Sequence, residues 1–311
     1  MSSPVRTTSV ALPSLARRFK RRVFSLLLGP VPLGLKVRLA RKLFPNLARY
    51  LPASRQVVIP DYLGRFRVSL DTTYPIEVMM LVDRYELESL YVINALVEPG
   101  HVCLDVGANV GALTLAMARQ AGPGGRVYAF EPGPVTFERL RRNIALNPWL
   151  TDVVVPLSLG VADKPGTLFW NEDWHNRGNA TLLESAGTAV EVVSLDWYFG
   201  QVSLPRLDFV KIDVEGMEYE VLTGARLLLA THKPILYFET LSHFDAIRGF
   251  PTLDRIEAFL RDLDYELYRV HRAGRDYRLA PATAAAHGAN TLAIPASRRE
   301  VLRALPRRAH R

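Results

Sequence analysis

From about residue 100 the apolar and polar positions follow two alternating rhythms. Short runs that are apolar almost throughout alternate with stretches whose apolar residues recur three and four positions apart. The first rhythm predicts buried strands and the second predicts helices with one covered face. His101–Val106 reads as a strand, Ala112–Gln120 as a helix, and "AGPGG" as a turn. Arg126–Phe130 is the second strand, and Val135–Leu146 is a helix with Arg, Glu and Asn on its polar face. "DVVVPLSLGV" supplies a third strand, and "GTLFW" and "AVEVVSL" read as hairpin pieces. "LDFVKID" is the fourth strand, "EYEVLTGARLLLA" one helix, and "PILYFE" the fifth strand. "TLDRIEAFLRDL" is a helix capped by Thr252, and "YELYRV" and "NTLAIP" end the series as strands. Strands alternating with helices imply an α/β fold, a doubly wound and mostly parallel sheet covered on both faces. Such sheets bind ligands beyond the C-terminal ends of their strands.

The charge is unevenly placed, and this separates the first part of the chain from the rest. Of the 39 Lys and Arg residues, twelve lie in residues 1–60, which hold no Asp or Glu. The remaining 27 face 31 acidic residues, so the body is mildly acidic although the whole chain carries +8. The expected organisation is a helical basic N-terminal arm over 1–60, a lead-in over 61–98, a catalytic domain over 99–296 and a basic tail over 297–311. The longest uncharged stretch of the arm, Val23 to Leu35, is broken by Pro30 and Pro32. It is shorter than the ~18 apolar residues that a membrane span needs. Arg21 and Arg22 precede an apolar run as in a signal peptide, but no small-residue cleavage site follows. Basic residues beside apolar ones suit an anionic membrane surface, to which each Lys or Arg contributes roughly 1 kcal/mol. No recognition motif accompanies the charge, so nucleic acid is not the expected partner. The single cysteine, Cys103, excludes an internal disulfide and reads as a small buried hydrophobe. A reducing, cytoplasmic setting is expected, with membrane contact at the inner face through residues 1–50.

The chemistry concentrates where strands end. "LDVGANVG" puts Asp105 at the end of the first strand, then Gly107, Asn109 and Gly111 before a helix. The glycines allow a tight turn whose backbone N–H groups a ligand could approach. A phosphate would be repelled by the acid, and a cationic ligand would not. A pyrophosphate-binding loop reads G-x-G-x-x-G, whereas Asn109 and Ala112 stand at its second and third glycine positions. Glu131, at the end of the second strand in "AFEPGP", is placed to bond two ribose hydroxyls. The two acids bracket a nucleoside with a cationic attachment, the shape of S-adenosylmethionine.

"DVGANVG", "FEPGP" and "DFVKIDVEGMEYEVLTGA" together resemble the FkbM-type family of S-adenosylmethionine-dependent methyltransferases over residues 85–270. That resemblance implies a class I methyltransferase (Rossmann-like) fold, whose seven-stranded sheet has one antiparallel strand near its edge. It implies methyl transfer to a hydroxyl oxygen, on sugars, glycans, glycolipids or polyketide-like products. Asp105, Gly107, Asn109 and Gly111 would form the cofactor turn, with Glu131 on the ribose. The end of the third strand, around Ser158 to Asp163, would approach the adenine.

An alcohol is a poor nucleophile until it loses its proton, and a carboxylate or His can remove it. Asp213, at the end of the fourth strand, is the first candidate base. Glu215, His243 and Glu239 follow. Glu215 could instead stabilise a helix N-terminus, and Lys211 could pair with a neighbouring acid. The three carboxylates could also hold a divalent cation that acidifies the acceptor, though no tight His/Asp cluster accompanies them. The loop "FWNEDWHNRGNATLLE" offers Trp170, Trp174, His175, Asn176, Arg177 and Asn179 as an acceptor platform, with Trp174, His175 and Asn179 foremost. Tyr85 and Glu86 resemble a segment bordering the cofactor. Two other classes stay open: a nucleotide-dependent oxidoreductase, and a binding protein with a degenerate methyltransferase fold.

Overall fold

The computed structural model describes residues 56–71, 74–81, 85–172, 180–183, 187–239, 252–273, 276–282, 290–303 and 305. The chain divides into two units, Met1–Tyr85 and Glu86–Arg311. In the first, β1 (Gln56–Tyr62) and β2 (Phe66–Asp71) form an antiparallel hairpin, followed by α1 (Pro75–Leu81). The alternating burial of both strands turns Val57, Ile59, Phe66, Val68 and Leu70 inward. Strand β1 thus starts inside the range expected for the arm.

The second unit opens with α2 (Leu87–Leu96), whose buried Ser89, Val92, Ile93 and Leu96 recur at helical spacing. Then come β3 (Val102–Val106), α3 (Ala112–Ala121), β4 (Arg126–Phe130) and α4 (Pro134–Ala145). Strand β3 is buried at every position, as an interior parallel strand must be. Helix α3 is rich in Ala, Leu and Met, strong helix formers, and is covered on nearly all sides. Pro134 opens α4, where its missing N–H costs nothing. After β5 (Val154–Leu157) the chain builds a small second sheet from β6 (Gly160–Val161), β7 (Gly166–Glu172), β8 (Ala180–Leu183) and β9 (Thr188–Val193), ordered β6-β9-β7-β8. The main sheet resumes through α5 (Leu195–Gln201), β10 (Phe209–Ile212), α6 (Glu218–Thr223), α7 (Arg226–His232) and β11 (Ile235–Glu239). Helix α8 (Thr252–Arg261), β12 (Tyr265–Ala273), β13 (Asp276–Pro281) and β14 (Asn290–Pro295) complete it.

The main sheet runs β13-β12-β14-β11-β10-β3-β4-β5. The five strands from β11 to β5 are mutually parallel, and β14 lies antiparallel between β11 and β12. This is the expected mostly parallel sheet with its antiparallel strand near the edge. It has eight strands rather than seven, because β13 adds a hairpin partner to β12. A second difference concerns "EYEVLTGARLLLA", which forms two helices instead of one. A Cβ on Gly224 would lie 2.3 Å from the Ala162 carbonyl oxygen and 2.9 Å from the Asp163 Cα. Helix α6 therefore ends where the backbone of the small sheet presses on it. The core joins both sheets and α5 to α8 through Leu104, Phe130, Val193, Phe199, Ile212, Leu222, Phe238 and Ile256. Among the described residues no helix is long and apolar enough to cross a membrane. The first 55 residues, expected as a basic arm, lie outside the described residues.

Candidate active site

Strand β3 delivers Asp105 and then turns sharply. Gly107 has φ +80°, and a Cβ there would sit 1.8 Å from the Asp213 carbonyl oxygen. Only glycine lets the turn pass so close to the end of β10. Asn109 also takes a left-handed conformation, φ 50°, which Asn tolerates better than most residues. Gly111, φ +92°, opens α3 in a left-handed conformation that favours glycine, and a Cβ there would lie 2.7 Å from Leu140 Cδ1.

The turn's own donors are occupied. The N–H groups of Gly107 and Ala108 donate to the Phe130 carbonyl at 3.0 and 2.9 Å. Asn109 N–H donates to Glu131 Oε2 at 2.8 Å, Val110 N–H to Asn109 Oδ1 at 2.8 Å, and Gly111 N–H to the Ala108 carbonyl at 2.9 Å. The sequence suggested a turn whose N–H groups meet a ligand. Here those of Gly107, Ala108 and Asn109 hold the turn against the end of β4, and those of Val110 and Gly111 close the turn on itself.

Asp105 is fully enclosed, and its carboxylate forms the floor of the site rather than its wall. Oδ2 accepts the Thr114 hydroxyl, and Oδ1 lies 3.5 Å from Lys211 Nζ. Lys211 stands beside Asp105 in the parallel register of β3 and β10. Its ammonium also donates to the Gly107 carbonyl at 3.0 Å and lies 3.3 Å from Asp213 Oδ2. Burial opposes the lysine charge, but Asp213, Asp105 and Glu86 outweigh it and hold its pKa above the ordinary value. Burial raises the pKa of Asp105, while Lys211 and Thr114 pull the other way. Asp213 is the outward end of this pair, its side chain 29% exposed.

Around Asp213 stands a ring of carboxylates. Burial, then Asp213, Glu239 and Glu218, push Glu215 up to about 8. Burial, then Asp213 and Glu86, push Glu239 up to about 8. Burial likewise raises Glu86, which sits in a left-handed conformation at the start of α2. Glu218 Oε1 accepts the Gly216 N–H at 3.1 Å, and burial pushes that carboxyl up to about 7. Glu86 accepts the Ser89 hydroxyl, Ser89 Oγ lies 3.3 Å from Tyr237 Oη, and Tyr237 donates to Glu88 Oε1 at 3.1 Å. This network ties α2 to β11, and no residue pattern announced it.

Glu131 closes the opposite side. Its Oε2 accepts Asn109 N–H and its Oε1 accepts Gly133 N–H at 2.9 Å. It is 3% exposed, and burial pushes it up to about 7 against the pull of those two donors.

Asp105, Gly107, Asn109, Gly111, Glu131, Asp213, Glu215 and Glu239 thus lie at or just beyond the C-terminal ends of the adjacent strands β11, β10, β3 and β4. Asp163 is placed differently: it is exposed in the turn between β6 and β7, with its Cα facing Gly224. His243, Trp174, His175, Asn176, Arg177 and Asn179 lie outside the described residues. Among the described residues no group of three or more His, Cys, Asp or Glu is arranged to hold a metal ion. Thr114 and Lys211 are the contributors that motif reading underweighted. Each is recognisable only through its contact with Asp105.

A family model described as a methyltransferase FkbM domain matches residues 105–267, more than half of the chain. The chain belongs to the FkbM methyltransferase family. The methyl donor of that family is S-adenosylmethionine. The methyltransferase sdnD of Sordaria araneosa is 34% identical over 39% of this chain and 59% of its own length. The hexuronic acid methyltransferase AglP of Haloferax volcanii is 32% identical over 41% of this chain and 51% of its own. The chain therefore spans between half and three-fifths of the length of these two relatives. A solved FkbM methyltransferase from Methylobacillus flagellatus superposes with a TM-score of 0.41 at 17% identity, covering 84% of this chain and 60% of that one.

Proposed function

We propose that this chain transfers the methyl group of S-adenosylmethionine to a hydroxyl oxygen of a sugar, glycan, glycolipid or polyketide-like product. The observation that carries this reading is the bond from Asn109 N–H to Glu131 Oε2. It joins the glycine turn and the acid of the second strand end into one pocket wall, beside the Lys211–Asp213 pair.

The residues present fit the cofactor. Each Glu131 oxygen accepts one N–H, and a carboxylate offers about four acceptor positions, so lone pairs remain for two ribose hydroxyls. Asp105 and Asp213 both stand against the single Lys211 ammonium, which suits a ligand with a cationic centre. When bound, the cofactor supplies an electrophilic methyl group on a sulfonium. In this reading Gly107, Asn109 and Gly111 shape the turn around it, and Asp105 acts from beneath by holding Lys211. Asp163 is proposed at the adenine end.

The acceptor hydroxyl needs a base and an orientation. Asp213 is proposed as the base, taking the hydroxyl proton, with Lys211 holding its carboxylate in place. A positioned carboxylate contributes roughly 10²–10⁴-fold. Glu215 and Glu239, each raised to about 8, are protonated at neutral pH and can donate hydrogen bonds to other hydroxyls of a polyol. Trp174, His175, Asn179 and His243 remain proposed acceptor-side residues. The likeness to a hexuronic acid methyltransferase supports a sugar or glycan acceptor. A nucleotide-dependent oxidoreductase is disfavoured, because every N–H from Gly107 to Gly111 is already spent and none is left for a pyrophosphate.

The test is incubation with methyl-labelled donor and a panel of hydroxylated sugars, uronic acids, glycolipids and macrolide alcohols. The expected product is a methyl ether on one class. Label found only as methyl ester or methylamine would contradict the hydroxyl assignment.

A further inference from the structure

Gly133 follows Glu131 by two residues and has an ordinary extended backbone, φ −66° and ψ 115°. Its conformation would suit any residue, so its lack of a side chain has a different cause. A Cβ on Gly133 would lie 2.8 Å from both Cε2 and Cζ2 of Trp170, and 2.9 Å from Glu131 Oε1. The indole and the carboxylate therefore converge on one point, with only the glycine between them. The ring atoms nearest that point form the side of the indole next to its Nε1–H.

Trp170 reaches this place from the small sheet. It lies in β7, paired with Thr188 of β9 on one side and with Leu182 of β8 on the other. Its carbonyl oxygen would be 2.3 Å from a Cβ on Gly187, so two glycines close in on one tryptophan. The backbone of Trp170 is held from both flanks, and its ring is half-buried. A rigid aromatic surface thus stands at the end of β4, beside the carboxylate proposed to hold a ribose.

We infer that Trp170 is the aromatic wall of the nucleoside end of the cofactor site, packing against the purine while Glu131 holds the sugar. This rests on the S-adenosylmethionine reading above. Purines pack well on aromatic rings, and an indole offers a large rigid surface at low entropy cost. The inference moves Trp170 from the acceptor side, where its loop neighbours suggested it, to the cofactor side. It gives Gly133 a function as the seat of the ring. It also gives the β6–β9 sheet a role in the chemistry, since that sheet carries Trp170 to the pocket.

The experiment is binding of S-adenosylhomocysteine, followed by calorimetry and by tryptophan fluorescence, with wild type, Trp170→Phe, Trp170→Ala and Gly133→Ala. Circular dichroism first confirms that each variant is folded, and Trp170→Phe keeps a ring in place if Trp170→Ala does not fold. Wild type should bind with a clear fluorescence quench. Trp170→Phe should keep its affinity within about threefold but lose most of the quench, because the reporting indole is gone. Trp170→Ala should bind about 5- to 100-fold more weakly. Gly133→Ala should also weaken binding, because its methyl displaces the ring. A retained full quench in Trp170→Phe, or unchanged affinity in Gly133→Ala and in a folded Trp170→Ala, overturns the inference and leaves the cofactor reading standing. Absence of binding by wild type overturns both.

Discussion

Lys211 of β10 and Asp105 of β3 stand side by side in adjacent parallel strands, with Nζ 3.5 Å from Oδ1, and both are almost wholly buried. This pair lies under the turn on which the cofactor reading depends. Lys211 bonds the Gly107 carbonyl above and reaches Asp213 at the mouth, so one ammonium links the floor, the turn and the proposed base. Placing a charge here is costly unless every partner is present.

Lys211→Met should therefore destabilise the fold by about 3–5 kcal/mol, because it leaves Asp105 buried without its cation. The double variant Lys211→Met/Asp105→Asn should recover a large part of that loss. Urea unfolding of the single and double variants measures both. Equal destabilisation in the two would show that the pair is not the cause.

Asp213→Asn should lower kcat by roughly 10²–10⁴-fold while leaving the dissociation constant of the methyl donor within a few-fold. Single-turnover assays beside calorimetry separate the two quantities. A variant with full turnover would remove Asp213 as the base.

Glu131→Ala should weaken donor binding by roughly 1.5–3 kcal/mol, the range for a hydrogen bond to a charged group. It also frees the Asn109 and Gly133 N–H groups that Glu131 now binds. Amide exchange at both positions should accelerate in the variant. Unchanged affinity with accelerated exchange would mark Glu131 as a brace of the turn alone.

The ring of buried carboxylates predicts an unusual pH response. Glu88, Glu131 and Glu218 are raised to about 7, and Glu215 and Glu239 to about 8, from an ordinary value of 4.5. Between those limits the folded chain binds more protons than the unfolded chain, so stability falls as pH rises. The contribution is complete below about 4.5 and lost as pH passes through 7 to 8. His101, lowered by burial, acts in the opposite sense below its ordinary 6.5, as one group against these five and the likewise raised Glu86 and Asp105. The ligand-free protein should melt several degrees higher at pH 5.5 than at pH 8.5. A melting temperature that rises across that interval would contradict the charge assignment of the mouth.

Much of this architecture is visible in the residue pattern, for identifiable reasons. Strand β4 occurs at Arg126–Phe130 as expected, because its apolar run is bounded by glycines before and by "EPGP" after. Helix α3 is equally plain in its Ala, Leu and Met content. The break at Gly224 was hidden, since the apolar spacing continues across it and the cause is a carbonyl of Ala162 far back in the chain. Strand β13 was hidden as well, because "DYRLAP" is too polar to stand out and exists as the hairpin partner of β12. At the site the strand-end acids were legible as a set, but their orientations were not. A sequence shows that Asp105 ends a strand. It does not show that the carboxylate turns toward a lysine on the neighbouring strand. In the same way the turn's N–H groups looked available until β4 was placed beside them.

The most direct test of the account is a calorimetric titration of the full chain with S-adenosylmethionine, repeated with NADH under the same conditions. The account predicts one-to-one binding of the methyl donor with about micromolar affinity and no heat from the dinucleotide. Binding of NADH with none of the methyl donor would contradict it.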